Sequence, residues 1–517
     1  MRGRMAARRA ALAVLVIVGL VAAQATPASA GSAGGHPHGG GSPISESRDL
    51  RRAVTVSGIR EHQRALQRIA DRNGGTRAAG TPGYDASVDY IVRKARAAGY
   101  KVTLDEFTYV VEFTEGSPPV LEETAPEPQV FVPGTRPAFD GDFVTFTGTG
   151  DVTAAVQAVD LQLPPGPAPN SSTSGCEVED FAGFVAGNIA LMQRGTCPYI
   201  QKATLAQDAG ASAMIIFNEG QPGRTAVPEN LPLGAEGIHI PGVGTSFDVG
   251  VDLSDAGTVA RVKTEVLEET ATSVNVIAES RRGDPNRTVV VGAHLDSVPA
   301  GPGINDNGSG SGGILEIAEQ LSKQHQSPRN KLRFMWYGAE ELGLIGSTKY
   351  VEELSQGQKD DILAMLNFDM IGSPNFARFV YDGDGTVGPE GPTGSGFLED
   401  VFVDYFAAVG LFNEPTAFDG RSDYGPFIAE GIPAGGLFTG AEVPKTAAQV
   451  AQYGGIADAQ FDPCYHEACD TYVGTGSGPG ATAPGRALVA LDQMSDAAAH
   501  AVYVLSRTRV DVRNTPN

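Results

Sequence analysis

Basic residues are scarce in this chain. It has 38 Lys and Arg against 61 Asp and Glu, which gives a formal net charge of −23. Four arginines lie in residues 1–30, which contain no acid, so removal of that segment would take the net charge to −27. A surface of this sign repels a phosphate backbone, and nucleic acid is therefore excluded as a partner.

Long hydrophobic runs are also missing. The apolar stretch from Ala10 to Ala23 is shorter than the roughly 20 residues that a membrane-spanning helix needs. It follows four arginines and precedes Ala28-Ser29-Ala30, an order typical of a secretory signal cleaved after Ala30. A membrane anchor is the weaker reading, and the flanks of Arg8-Arg9 do not match a twin-arginine signal well. We expect a signal peptide at residues 1–30 and a secreted, extracellular protein without a membrane attachment.

Cysteine is rare, with four among 517 residues. Cysteines of an exported chain are typically oxidised, and their spacing pairs Cys176 with Cys197 and Cys464 with Cys469. If both pairs form, no thiol is left for catalysis.

The remaining composition, 41% hydrophobic and 19% charged, is that of a globular protein with room for two or three domains. Residues 31–56 open with Gly, Ser, His and Pro and predict a flexible linker or a short pro-segment. Ser57 is placed to cap the helix that follows. From about residue 116 to residue 271, proline-rich turns and short strands predict an inserted unit.

The stretch from Thr288 to Glu341 carries most of the candidate chemistry. An apolar β-branched run at 288–291 predicts a buried strand that ends at His294 and Asp296. Asn305-Asp306-Asn307-Gly308 then precedes a helical pattern, and a second strand at 332–337 ends at Glu340-Glu341. Each residue alone has an ordinary explanation as a turn, cap or helix-dipole residue. Their joint occurrence at successive strand ends favours a ligand site.

Two later segments extend this set. Residues 366–370 repeat the pattern of an apolar strand that ends in an acid, Asp369, and residues 462–471 place His466 between two cysteines. Two histidines and several carboxylates are the ligand set of a hydrolytic zinc site with an open position.

In this order, the motifs resemble the co-catalytic dizinc aminopeptidases of peptidase family M28, especially the secreted bacterial and fungal branch. The resemblance covers most of residues 57–115 and 272–507 and rests on five motifs: His294-x-Asp296, Asn305-Asp306-Asn307-Gly308, Glu340-Glu341, Asn367-Phe368-Asp369 and Tyr465-His466. It implies an α/β fold with three α/β/α layers and a mixed sheet.

The same resemblance implies two zinc ions per chain and a ligand set for them. Asp306 would bridge the ions, with His294 and Asp369 completing one site and Glu341 and His466 the other.

The resemblance further assigns the proton chemistry. Glu340 would be the general base and then the general acid, Tyr465 would donate its hydroxyl to the oxyanion, and Arg421 would contact the substrate. Asp296, two residues after His294 on the same strand face, is placed to orient its imidazole. A disulfide between Cys464 and Cys469 would position the Tyr465-His466 pair locally.

A second resemblance lies in the insertion. Residues 188–197 and 202–218 resemble the protease-associated (PA) domain, a small β-rich module without catalytic residues. We expect it to occupy residues 116–271, between the two parts of a peptidase domain at 57–115 and 272–507.

Together these patterns predict an aminopeptidase for peptide or protein N-termini, and the resemblance favours large apolar first residues. An acidic pocket attracts a free α-ammonium, whereas a substrate carboxylate needs arginines, of which Arg421 is one candidate. A carboxypeptidase of the same fold and a non-enzymatic binding protein are the alternatives. We expect a monomer.

Overall fold

The computed structural model describes residues 42–324, 327–474 and 485–517. The predicted signal peptide and residues 31–41 of the predicted linker lie outside the described residues. Before the insertion, the chain forms α1 (Pro43–Glu46), α2 (Arg48–Ala53), α3 (Val56–Arg72), α4 (Pro82–Ala97) and β1 (Lys101–Glu115).

Residues 43–53, in the second half of the segment predicted to be a flexible linker or a short pro-segment, form α1 and α2 and are part of the folded unit. Leu50 is fully buried among the apolar residues of the main core, and Ser47 Oγ hydrogen-bonds His500 Nδ1 at 2.8 Å. Thr55, rather than Ser57, caps α3, since its side chain accepts from Gly58 N. Isolated apolar residues such as Leu50 do not produce a periodic signal, so composition alone pointed to a linker.

The insertion contains ten of the described elements and a 3₁₀ turn at Val178–Phe181. They are β2 (Val120–Ala125), β3 (Gln129–Val130), β4 (Phe143–Thr147), β5 (Gly150–Ala158), β6 (Ile189–Gln193), α5 (Tyr199–Asp208), β7 (Ala213–Phe217), β8 (Gly242–Thr245), α6 (Phe247–Asp252) and β9 (Val259–Thr264). The strands form a separate sheet in the order β3-β2-β9-β5-β6-β7-β8-β4. Cys176 and Cys197 form a disulfide within this unit.

After the insertion, the chain completes the first unit. The elements are β10 (Val266–Glu279), β11 (Asp284–His294), α7 (Gly308–Lys323), β12 (Asn330–Tyr337), α8 (Ile345–Glu353), α9 (Gln356–Asp360), β13 (Ile362–Phe368), β14 (Phe379–Tyr381), α10 (Ser395–Ala408), β15 (Glu414–Thr416), α11 (Gly425–Ala429), β16 (Ala434–Phe438), α12 (Ala447–Tyr453), α13 (Arg486–Arg507) and a 3₁₀ turn at Val512–Asn514.

The main sheet is mixed and has the order β1-β10-β12-β11-β13-β16-β14-β15. Strands β12, β11, β13 and β16 are parallel neighbours, while β1 and β10 are antiparallel at one edge. The carboxyl ends of the four parallel strands therefore meet at one edge of the sheet, where ligands bind in open α/β sheets.

Successive residues of β11 show why the sheet is covered on both faces. Val289 and Val291 pack into a core with α2, α3, α4, α7, α10 and α13, whereas Val290 packs into a second core with α8 and α11. Alternation of side chains across the pleat sends neighbouring valines to opposite layers. A strand that is apolar at every position is typical of such a double-covered sheet. The predicted three-layer α/β/α fold is confirmed.

A long two-stranded ribbon joins the two sheets. β1 and β10 pair from Lys101 with Glu279 to Glu115 with Val266, and Gly116 N donates to Glu265 O at 2.8 Å where the insertion begins. The insertion also contacts α8, since Lys349 Nζ lies 3.0 Å from Glu236 Oε1. The two connections between the main sheet and the insertion thus lie side by side, so the insertion leaves the main sheet continuous.

Within the described residues, none of the helices is long and apolar enough to cross a membrane.

We expect Leu50→Ala to lower the free energy of unfolding by about 2–5 kcal/mol, because it removes a fully buried side chain from the main core. Urea unfolding measures the change. Leu267→Ala is the matched control, since Leu267 is 50% exposed and its loss should cost less than about 0.5 kcal/mol. Equal stability of the Leu50 variant and the wild type would show that α2 does not belong to the fold.

Candidate active site

The candidate metal ligands lie at the ends of adjacent elements. β11 ends at His294, β13 is followed directly by Asp369, and Asp306 precedes the first turn of α7. Glu341 lies in the turn after β12, and His466 comes from the loop closed by the Cys464–Cys469 disulfide. The structure thus brings together all five residues that the sequence proposed as ligands.

The two oxygens of Asp306 face different histidines. His294 Nε2 lies 3.2 Å from Asp306 Oδ1, and His466 Nε2 lies 3.3 Å from Asp306 Oδ2. Asp369 Oδ1 is 3.4 Å from His294 Nε2, and Glu341 Oε2 is 3.0 Å from His466 Nε2. This is the arrangement of a carboxylate shared between two groups of candidate ligands.

These side chains fit zinc. Nitrogen and oxygen donors about 2.0–2.2 Å from a tetrahedral ion lie about 3.3 Å apart, close to the separations observed between them. Among the described residues, Glu341 Oε1 and Asp369 Oδ1 are buried and have no hydrogen-bond partner. Buried carboxylate oxygens are rarely left without a partner, and a cation satisfies them.

The two glutamates lie on different sides of Asp306. Glu340 Oε2 is 3.9 Å from His294 Nε2, whereas Glu341 belongs to the His466 side. Ligand atoms of His294, Glu340 and Asp369 lie close enough to one another to hold an ion, as do those of His294, Asp306 and Glu341. Distances alone therefore do not distinguish a ligand from a base in this pair.

The electrostatics of the cluster favour positive charge. Burial lowers the pKa of His294, but the carboxylates of Glu340 and Asp369 raise it well above the ordinary imidazole value. Hydrogen bonds to Asp306 and Glu341 raise the pKa of His466 to about 10. Burial raises the pKa of Glu340 well above the usual carboxyl range. A site that holds protons this firmly equally attracts metal cations.

Asp296 organises the turn that carries both glutamates. Its carboxylate accepts from the backbone nitrogens of Glu340 and Glu341 at 3.2 and 3.3 Å. Asp296 Oδ1 also lies 3.6 Å from His294 Nδ1. Asp296 thus lies beside the imidazole and also holds the turn through its backbone contacts.

Sequence reasoning missed two residues that hold the loop before α7. Arg77 is fully buried and donates to the carbonyls of Leu295, Pro302 and Gly303. Asp470 accepts from the backbone nitrogens of Asn305 and Asp306 at 2.7 and 2.9 Å. Both are charged side chains that lie far in sequence from the loop they hold. For Asp470, its position directly after Cys469 was the feature of the sequence that could have indicated a role near the site.

Ser422 is a third residue that the sequence did not single out. Its hydroxyl donates to Asp369 Oδ2 at 2.6 Å and accepts from Asn367 Nδ2 at 2.8 Å. Non-glycine residues with positive φ also concentrate here, at Ala339, Met370 and His466. Backbone strain of this kind persists only where surrounding contacts impose it, and it is common at functional sites.

A cavity of about 350 Å³ opens beside the cluster. Asp306, Glu340, Glu341, Asp369 and Asp419 line it as acids, and among its described lining residues the cationic groups are Arg421 and His466. Apolar surface comes from Leu344, Met370, Tyr381, Ala417 and Phe438.

Residues 275–476 match peptidase family M28, and residues 154–253 match the PA domain. Over 427 residues the chain is 48% identical to an aminopeptidase of Pseudomonas aeruginosa, with 81% of this chain and 77% of the relative covered. The chain belongs to peptidase family M28. It is also 45% identical over 315 residues to leucine aminopeptidase 2 of Trichophyton equinum, with 60% of this chain and 62% of the relative covered.

The fold of this M28 chain is also that of a solved relative. An aminopeptidase from Aneurinibacillus sp. strain AM-1 superposes with a TM-score of 0.51 at 25% identity, over 91% of this chain and 98% of that one. The family resemblance, the PA insertion and the enzyme class, a metallo-aminopeptidase, are confirmed. The family implies zinc.

We expect Ser422→Ala to weaken zinc retention about 10- to 100-fold, because it removes the hydrogen bond that orients Asp369. Zinc retained against a competing chelator measures this. Ser254→Ala is the control, since that hydroxyl donates to Val251 in a turn of the insertion. Unchanged zinc retention in the Ser422 variant would contradict a ligand role for Asp369.

Proposed function

We propose that this M28 chain is a secreted aminopeptidase that holds two zinc ions and releases N-terminal residues, preferably large and apolar ones. The observation that carries the proposal is the cavity, which places acids and apolar surface next to the ligand cluster. Acids attract the α-ammonium of a free N-terminus, and the apolar wall favours an apolar first side chain. A relative named leucine aminopeptidase 2 supports the same preference.

The state of Arg421 argues against a carboxypeptidase. A substrate carboxylate needs an available cation in the cavity, but Arg421 Nη1 already donates to Glu442 Oε1 at 2.8 Å. Two bound zinc ions would offset most of the acids of the lining, so the argument against a carboxypeptidase rests on this engagement of Arg421.

The proposed ligands are His294, Asp306 and Asp369 for one ion, and Asp306, Glu341 and His466 for the other. When bound, zinc supplies Lewis-acid polarisation of the scissile carbonyl and makes water acidic enough to attack at neutral pH. The donor types and their separations support this assignment.

Two side chains of this protein would move or hold protons. Glu340 takes the proton of the attacking water on its carboxylate and returns it to the leaving amine. The hydroxyl of Tyr465 donates a hydrogen bond to the oxyanion that forms on the former carbonyl oxygen. Cys464 and Cys469 are five residues apart in sequence, and their disulfide closes a short loop that contains Tyr465 and His466. The disulfide so limits the movement of both side chains.

Secretion is part of the proposal. Its supports are the amino-terminal sequence pattern and two disulfides within the described residues, since disulfides persist in oxidising compartments.

We expect Glu340→Gln to retain two zinc ions and an unchanged KM while kcat falls by about 100-fold or more, because the amide cannot accept the proton. Metal analysis and steady-state kinetics measure the two effects. Glu341→Gln is the matched control, and it should lose zinc instead because Glu341 contacts His466. Zinc loss from the Glu340 variant would show that Glu340 is the ligand and Glu341 the base.

A panel of peptides with free and acetylated N-termini tests the reaction itself. We expect free peptides to be shortened from the N-terminus, fastest with leucine or another large apolar first residue. Acetylated peptides should resist, because acetylation removes the ammonium that the acidic cavity attracts. Mass spectrometry of the products identifies the end that is cut. Stepwise loss from the C-terminus, or equal cleavage of acetylated peptides, would refute an aminopeptidase.

A further inference from the structure

Arg421, predicted to contact substrate, is occupied on both arms of its guanidinium. Nη1 donates to Glu442 Oε1 at 2.8 Å, and Nη2 donates to Tyr465 Oη at 3.1 Å. The guanidinium has donors but no acceptor, so Tyr465 must be the acceptor in this contact. The three side chains form one hydrogen-bonded chain in the order Glu442, Arg421, Tyr465.

The direction of the second bond matters for the tyrosine proton. A phenol has one O–H donor, and Arg421 does not use it because Arg421 supplies its own hydrogen to Oη. The proton of Tyr465 thus stays available for an oxyanion in the cavity. A cationic donor on Oη also polarises the O–H bond and strengthens it as a donor.

Tyr465 is restrained from its other side by its neighbour. Its ring stacks on His466 with a centroid separation of 3.8 Å and an interplanar angle of 27°. The hydroxyl therefore has its position set by the ligand loop at the ring and by Arg421 at the oxygen.

Glu442 gives the Arg421 side chain a defined position, which Arg421 lacks by itself. The Arg421 side chain is 54% exposed and that of Glu442 is 40% exposed. An ion pair this exposed adds little to folding stability. A long arginine side chain has many rotamers, however, and anchoring Nη1 keeps Nη2 directed at Tyr465.

We infer that Glu442 is a positioning residue for the reaction, which holds Arg421 against Tyr465 so that Arg421 acts on Tyr465 rather than on the substrate. This inference rests on the proposed function, because it requires Tyr465 to serve the oxyanion. It reassigns Arg421 from a substrate contact to a support of the catalytic hydroxyl.

Kinetics of the zinc-loaded Glu442→Ala variant provide the test. We expect kcat to fall about tenfold with KM and zinc content unchanged, because a misplaced oxyanion donor affects the transition state rather than substrate binding. Affinity for an aminophosphonate analogue of the transition state should fall by the same factor, while affinity for free leucine stays constant. Glu442→Gln should recover part of kcat, since its amide oxygen still accepts from Arg421.

Glu430→Ala is the matched control. Glu430 also forms an ion pair at 2.8 Å, with Lys359, and is 42% exposed, so its loss reproduces the removal of a comparable surface ion pair. We expect its kinetics to equal those of the wild type.

A double-mutant cycle with Tyr465→Phe separates the two roles of Arg421. Tyr465→Phe alone should lower kcat roughly 100-fold or more, as loss of an oxyanion donor does. If Glu442 acts through the hydroxyl, Glu442→Ala should have no further effect in the Tyr465→Phe background. An undiminished effect there, or a raised KM with unchanged kcat, would overturn the inference in favour of direct substrate contact.

The same experiment distinguishes failure of the inference from failure of the proposed function. A large effect of Tyr465→Phe with no effect of Glu442→Ala would overturn only the role of Glu442. Full activity of Tyr465→Phe would instead remove the oxyanion role of Tyr465, and the inference with it.

Discussion

Repulsion among buried carboxylates is the constraint on which the rest of the site depends. Asp306, Glu340, Glu341 and Asp369 line one cavity, and all but Glu341 are at least nine-tenths buried as whole residues. Two like charges 4 Å apart repel by about 4 kcal/mol at an effective dielectric constant of 20. Such a cluster is stable only if this repulsion is relieved. Burial raises the pKa of Glu340, so a proton on its carboxyl relieves part of it, and protonated histidines or metal cations relieve the rest. The residue set thus strongly attracts cations.

Holding these groups together requires a rigid frame, and the sheet supplies it. Parallel strands β11, β12 and β13 deliver their ends to one edge, while the buried Arg77 and Asp470 hold the loop before α7 through backbone contacts. The PA insertion leaves this frame intact because it enters and leaves through the paired strands β1 and β10. The M28 domain therefore holds the whole site, and the PA insertion is attached at the end of the ribbon that β1 and β10 form.

Much of this arrangement was predictable from the sequence. Apolar strands ending in His294, Asp369 and the Glu340-Glu341 pair are local patterns, and strand ends of a parallel sheet must converge. The three-layer fold was implied by the resemblance to family M28, and runs such as Val289–Val291, which are apolar on both faces of a strand, agree with it. The extent of the folded unit was not predictable in the same way, because α1 and α2 are short and their stability comes from packing on α13 rather than from their own pattern.

The sequence by itself determined which chemical groups are present and which lie at strand ends, since these depend on residue type and local periodicity. Only the tertiary structure decided that Asp306 turns one oxygen to each histidine, that Ser422 holds Asp369, and that Arg421 lies between Glu442 and Tyr465. The physical reason is that a hydrogen bond depends on positions to within a few tenths of an ångström. Those positions are set by the packing of separate segments, 53 residues apart for Ser422 and Asp369 and more than a hundred for Asp306 and His466, and no local pattern encodes them.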